Sequence, residues 1–252
     1  MHFVVLLSAL VACAAGAALN PTKPKQEGRI FKGEEARITD FPYQAFLMGR
    51  GKYRGGAVII DNNWALTAAH CVYGFTAERL LVWTGRESLT CGGSPRMVRE
   101  VIRHEKNFGN TTLAYDIALL KLYSNINSTR HISLRTTAVP VGTTAVVTGW
   151  GYTSNTSSFS NTLQQGTVTI IDPQECRDAY ANLTSDDTIL CARDGPKGQS
   201  TCAGDSGGAL VYDKQLIGLV SGGGDCGDPN DPRVFISIPA LWGWIRSTVD
   251  SN

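Results

Sequence analysis

The chain has 252 residues, 42% hydrophobic and 18% charged, enough for one large domain or two small ones with real cores, and this excludes an intrinsically disordered chain. A formal net charge of +1, with no run of like charges longer than two, argues against a nucleic-acid partner and against a polybasic or polyacidic tail. Glycine is abundant at 27 residues against 10 prolines, which suits short strands and tight turns better than helix bundles.

In chain order, Phe3 to Leu19 carries no charge, and small residues crowd its end, with Ala15-Gly16-Ala17 as an A-x-A cleavage site. This predicts a signal peptide over residues 1–17 and a secreted, extracellular protein. The rival is a membrane anchor, but a span needs roughly 20 strongly apolar residues and the Ala/Gly-rich second half serves it poorly. No other stretch is long and apolar enough to cross a bilayer, so no membrane partner is expected. Residues 20–29 are polar, carry two prolines and read as a linker.

From Ile30 onward short apolar runs alternate with Gly, Asn, Asp and Ser. Strands are predicted at Ala57–Ile60, Leu80–Trp83, Ile117–Leu122, Ala145–Thr148, Thr167–Ile171, Ala209–Tyr212, Leu216–Val220 and Val234–Ile238. They recur without long helical patterns between them, which predicts an all-β fold. A short helix fits Asp172–Tyr180, with Pro173 in its first turn. A C-terminal helix fits Ala240 to about Val249, where Leu241, Trp244, Ile245 and Thr248 share one face.

Of seven cysteines, Cys13 falls in the signal and six remain: Cys71, Cys91, Cys176, Cys191, Cys202 and Cys226. An even count in a secreted chain predicts disulfides, and spacing alone leaves 15 connectivities open. The absence of C-x-x-C removes a zinc ribbon from consideration. Four N-x-S/T sequons, at Asn110, Asn127, Asn155 and Asn182, are possible glycosylation sites.

Three segments carry chemistry. In Trp64–Cys71 an apolar strand runs into His70, which by itself also reads as a hydrogen-bonded core residue. Asp116 leads directly into an apolar strand, where a buried carboxylate needs a partner, though a plain strand-start residue fits too. In Cys202–Gly208 glycines flank Ser206 on both sides, so the backbone can turn sharply and expose the hydroxyl and its neighbouring N–H groups. That loop lacks the lysine of a phosphate-binding P-loop and the G-x-S-x-G of a nucleophile elbow.

Together these segments resemble the chymotrypsin-like serine protease family. The matching text is Leu-Thr-Ala-Ala-His-Cys at 66–71, Asp-Ile-Ala-Leu-Leu at 116–120, Thr-Gly-Trp-Gly at 148–151 and Gly-Asp-Ser-Gly-Gly at 204–208. The resemblance covers Ile30 to about Val249. It implies two antiparallel six-stranded β-barrels with a C-terminal helix: barrel one about 30–135, barrel two about 136–239 and the helix about 240–249, within a protease domain at 30–252. It implies Ser206 as nucleophile, His70 as base, Asp116 as its orienting partner, and the N–H groups of Gly204 and Ser206 as an oxyanion hole. Ser221 resembles the serine that supports the aspartate, and Ser221–Gly223 would pair with an extended protein or peptide substrate.

The resemblance extends to the activation site. Arg29-Ile30 resembles a zymogen cleavage point, so 18–29 reads as a propeptide cut by a trypsin-like activating protease, and the freed Ile30 amine would pair with Asp205. It suggests disulfides Cys176–Cys191 and Cys202–Cys226. The usual partner of Cys71 is missing, since Arg54 stands there. That leaves Cys71 paired with Cys91, or two free thiols. The loop at Arg86 lacks the acidic ligands of calcium-binding members, so no metal is expected, nor any other cofactor.

The specificity pocket departs from the family. Ser200 stands at the base position, where trypsin-like members carry Asp. Gly222 replaces the usual strand tryptophan, which predicts a more open neighbouring subsite. Gly223 leaves the entrance open, and Arg233 replaces a wall glycine. A basic residue before the scissile bond is therefore not expected, and an acidic or an apolar one is. A monomeric secreted endopeptidase results, with a catalytically silent homologue that acts as a binding protein as the alternative.

Overall fold

The computed structural model describes residues 30–107, 113–126, 130–153, 158–180, 183 and 187–252. The signal, the linker, Arg29 and all four sequon asparagines lie outside them.

The first half forms six strands: β2 Gln44–Gly49, β3 Lys52–Asp61, β4 Trp64–Thr67, β5 Leu80–Thr84, β6 Ser94–Arg103 and β7 Ala118–Leu122. They follow β1 (Glu34–Glu35) and close into an antiparallel barrel in the order β2-β3-β4-β7-β6-β5. Its interior is filled by small and aliphatic side chains, among them Ala45, Leu47, Ile59, Val82 and Leu120. The period-2 alternation of strands sends these inward, and closure leaves no edge unpaired.

The second half adds β8 (Ser133–Leu134), β9 (Thr144–Gly149), β10 (Gln164–Ile171), β11 (Ile189–Asp194), β12 (Ala209–Tyr212), β13 (Gln215–Gly223) and β14 (Arg233–Ser237). Strands β9, β10, β11, β14, β13 and β12 close the second six-stranded antiparallel barrel. The short β1 extends it at β10, and β8 adds a parallel pairing to β13. The all-β, two-barrel expectation is met.

Two helices complete the fold. Helix α1 spans Pro173–Ala179, with Asp172 as N-cap accepting from Gln174 N and proline in the first turn. Helix α2 spans Ile238–Ser251, two residues longer at each end than the sequence predicts, because Ser237 caps it and Pro239 fits its first turn. It packs Leu241 and Ile245 into a cluster shared by Leu66, Leu119, Val234 and Ile236, so it bolts the two barrels together.

Five strands lie outside those predicted from sequence: the two-residue β1 and β8, and β2, β6 and β11. In β6 only Val98 is fully buried, so its outward face is charged. Strands β2 and β11 are mostly buried on both faces and lose the alternation that marks a half-exposed strand.

Both suggested disulfides form, Cys176–Cys191 and Cys202–Cys226, closing separations of 15 and 24 residues. Each is worth about 3 kcal/mol in the chain-entropy account. Cys71 does not pair with Cys91; it keeps a free, buried thiol. Arg54, in the place of the missing partner, turns over the Phe75 ring at 4.7 Å.

Ile245 is 0% exposed at the junction of helix and barrels. Ile245→Ala removes that contact and is expected to cost about 2–5 kcal/mol, lowering Tm by about 5–15 °C in a thermal melt.

Candidate active site

The site lies where the barrels meet, and each barrel supplies part of it. Strand β4 pairs with β7 so that Thr67 faces Ala118. That register sets the turn after β4, a short 3-10 helix at Ala69–Val72 carrying His70, beside the residues that lead into β7. Tyr115 there holds φ 55°, a left-handed conformation that a bulky side chain rarely takes, and Ile117 N donates back to Tyr115 O at 2.7 Å. This tight turn directs Asp116 inward.

Asp116 is 3% exposed and accepts three hydrogen bonds. His70 Nδ1 lies 2.6 Å from its Oδ2, His70 N donates to Oδ1 at 2.9 Å, and Ser221 Oγ donates to Oδ2 at 2.7 Å. The buried carboxyl is thus satisfied from three sides, two in barrel one and one in barrel two. The short Nδ1 contact requires that nitrogen to carry the proton, which leaves Nε2 as a free acceptor toward the cleft. Burial lowers the pKa of His70, and the Asp116 bond, helped by the neighbouring Cys71 thiol, more than reverses it, so a proton taken up at Nε2 is held more firmly than on a free imidazole.

The Ser206 loop comes from barrel two and is held against barrel one. Gly56 N donates to Ser206 O at 2.8 Å, and the Cys71 Sγ lies 3.7 Å from the same oxygen. Gly207 has φ 77°, and a Cβ there would sit 2.4 Å from Thr67 Oγ1 and 2.5 Å from Gly56 O, so only glycine fits. Gly204, at φ 94°, is the second left-handed glycine of the loop. The N–H groups of Gly204 and Ser206 donate to no described residue, whereas Asp205 N and Gly207 N are both used internally. Two adjacent free donors beside a serine hydroxyl form a pocket for negative charge. Among the described residues no hydrogen bond yet joins Ser206 Oγ to His70.

Asp205, next to Ser206, is 0% exposed. Its oxygens accept from Gly151 N at 2.8 Å and Cys202 N at 2.9 Å. Burial pushes its pKa up to about 7 against the pull of those two donors. Among the described residues no cation lies within ion-pair distance of it. Ile30 is 0% exposed, its side chain seated in the core of barrel two with Val147, Val168 and Leu210.

Beside Ser206 opens a cavity of about 550 Å³, lined among others by Ser221, Gly222, Gly223, Asp225 and Arg233. Arg233 is 2% exposed. Its Nη1 donates to Gly224 O at 2.7 Å and its Nη2 to Asp225 O. Among the described residues it pairs with no carboxylate within 4.0 Å, and Asp225, Asp228 and Asp231 are not its ion-pair partners. Its Cδ and Nη1 lie 3.0 Å from where a Cβ on Gly223, its partner across β13 and β14, would stand. Ser200 is 0% exposed and does not line the cavity, whose floor is Arg233. Above Gly222, the Leu113 side chain fills part of the space that a tryptophan would take, at 3.2 Å from a Cβ position there.

Sequence reasoning missed Tyr53. Its hydroxyl donates to Gly204 O at 2.7 Å, and its ring meets Phe159 at 4.8 Å, so it braces the loop that presents the free N–H groups. Only its place two residues before Gly55-Gly56 could have hinted at this. Among the described residues no group of three or more His, Cys, Asp or Glu side chains could hold a metal, and no helix is long and apolar enough to cross a membrane.

Residues 30–245 match the family model described as Trypsin. Trypsin alpha of Drosophila melanogaster is 34% identical over 257 residues, covering 100% of this chain and 99% of the relative. Trypsin theta of the same fly is 36% identical over 265 residues, covering 100% of each. Among solved structures, neuropsin, a serine protease expressed in the limbic system of mouse brain, superposes with a TM-score of 0.78 at 32% identity, over 86% of this chain and 98% of its own.

Because burial and Asp116 push His70 in opposite directions, they can be separated. In an NMR titration the native imidazole is expected to titrate above about 6.5, and Asp116→Asn should bring it to that value or below.

Proposed function

The chain belongs to the trypsin family of serine endopeptidases, and on that premise we propose that it cleaves protein substrates through Ser206, His70 and Asp116. The reading is carried by one observation: a buried aspartate that fixes the imidazole, beside a serine flanked by two unused N–H donors. Ser206 Oγ attacks the peptide carbonyl and its proton passes to His70 Nε2, since a serine hydroxyl needs a base at neutral pH. Asp116 holds the Nδ1–H tautomer and stabilises the imidazolium. The N–H groups of Gly204 and Ser206 receive the developing oxyanion. His70 then returns the proton to the leaving amine, and water repeats the sequence to release the acyl group. No observation favours the silent homologue, since every group the reaction needs is present.

We read the protein as a secreted, monomeric zymogen, with a signal at 1–17 and a propeptide at 18–29. A trypsin-like activating protease would cut after Arg29. Support comes from Asp205, a carboxyl buried without a cation in the uncut chain. The new Ile30 amine would supply one and hold the Ser206 loop in its working form.

For the residue before the scissile bond, the proposal is an acidic side chain first and an apolar one second. A permanently charged guanidinium that forms the cavity floor without an ion-paired partner offers a bidentate site to a carboxylate and repels an ammonium.

Three tests follow from this reading. After cleavage at Arg29 a fluorophosphonate should label the protein, and Ser206→Ala should abolish the label; a native enzyme that stays unlabelled would refute the catalytic assignment. Among matched peptides, Lys before the cut should be hydrolysed at least about a hundredfold more slowly than Glu, since a unit charge about 5 Å from the guanidinium at an effective dielectric of about 20 gains or loses about 3 kcal/mol according to its sign. The folded carboxyl of Asp205 keeps its proton up to about 7, whereas in the unfolded chain it titrates near the ordinary aspartate value of 3.8. Between those values the uncut chain binds more protons folded than unfolded, so this group makes stability fall as pH rises. Denaturant melts across that range should show the fall, and Asp205→Asn should remove it.

A further inference from the structure

Behind the cavity floor lie three buried polar atoms with no hydrogen-bond partner within 3.5 Å among the described residues: Arg233 Nε, Ser200 Oγ and Asp194 Oδ1. The backbone brings their residues together. Ala192 pairs with Arg233 across β11 and β14. Asp194, two residues farther along β11, projects from the same face as Ala192 and so lies diagonal to Arg233. Ser200 is anchored beside them by its N–H, which donates to Phe31 O at 3.2 Å. The three atoms are chemically complementary: Nε–H is a donor, Oδ1 an acceptor and Oγ either, so one shared water would complete them all.

We propose that Asp194 is a specificity-determining residue, the counter-charge behind Arg233 that sets how strongly the pocket favours an acidic over an apolar residue before the cut. This rests on the reading that Arg233 faces the substrate side chain. A carboxylate across the guanidinium from the substrate opposes an incoming carboxylate and leaves an apolar group unaffected. Asp194 therefore acts as a brake on acidic preference.

The other charges near Asp194 are weaker competitors. Arg233 and Lys32 lower its pKa, as does the Ser200 hydroxyl, and Asp228 raises it. Lys32 sits exposed over the Phe31 ring, and Asp228 is exposed in the loop before Arg233, so solvent screens both. Burial is the largest influence and raises the Asp194 carboxyl above its ordinary range. On acidification it takes its proton earlier than an ordinary aspartate, and the brake is released.

The experiment compares kcat/KM for matched peptides with Glu, cysteic acid or Leu before the scissile bond. Cysteic acid keeps its charge throughout, so its pH dependence reports the enzyme. The enzymes are the activated native protein, Asp194→Asn and Arg233→Gly, each normalised to fluorophosphonate-reactive sites. Asp194→Asn should raise the Glu-to-Leu ratio about three- to tenfold, mainly through KM. It should also flatten the rise of the cysteic acid-to-Leu ratio as pH falls. If Asp194→Asn does not fold, Asp194→Ser removes the same charge and reads the same ratios. An unchanged or lowered ratio, with Arg233→Gly still shifting it, overturns the role of Asp194 and leaves the pocket reading standing. If Arg233→Gly leaves the ratio unchanged, the pocket reading itself falls.

Discussion

The working parts of this molecule hang on one seam, where barrel two lays its serine loop against barrel one. Gly56 N–H donates to the Ser206 carbonyl at 2.8 Å, and Gly207 presses onto Thr67 and Gly56 with no room for a Cβ. A buried backbone bond of this kind is expensive to leave unmade, so the loop has one seat. That seat leaves the Gly204 and Ser206 N–H groups without an acceptor among the described residues. Helix α2 and the shared core of Leu66, Leu119, Val234 and Ile236 keep the barrels from sliding, so the seam holds its register.

Three charged side chains are buried around this seam, and their partners differ. Asp116 has three donors, one of them from the other barrel, and is a satisfied part of the framework. Asp205 has two backbone donors and, among the described residues, no cation, so it is a group awaiting a partner. Arg233 has two carbonyls and, among the described residues, no carboxylate at contact distance, so its charge remains available to the cavity. Buried charges are costly unless compensated, and the uncompensated ones are where a ligand or a new chain terminus gains most. The proposed activation and the proposed pocket chemistry both follow from that difference.

Cys71 illustrates how a missing bond is replaced. In place of a disulfide, the free thiol packs between the Gly55 backbone and the Ser206 carbonyl. Tyr53, from the same strand, reaches over to the Gly204 carbonyl. Noncovalent contacts from barrel one therefore hold both ends of the serine loop. The Cys202–Cys226 bridge secures it from the barrel two side.

The amino-acid sequence alone determined the all-β class, nine of the strands and both helices, and it singled out His70, Asp116 and Ser206 as candidates. These are local signals: apolar runs bounded by turn residues, a proline and a cap before each helix, and short motifs with distinct residues. It did not reveal β2 and β11, whose two-sided burial erases the alternation, β6, whose outer face is charged, or β1 and β8, which are two residues each. It left the state of Cys71 open, because pairing depends on where chains distant in sequence meet. It placed Ser200 at the pocket base, but only the three-dimensional path of the Arg233 side chain decides what the cavity touches. Tyr53 and Asp194 carry no motif at all. Their importance comes from a hydrogen bond spanning 151 residues and from a diagonal across two strands, and contacts of that kind exist only once both barrels have closed.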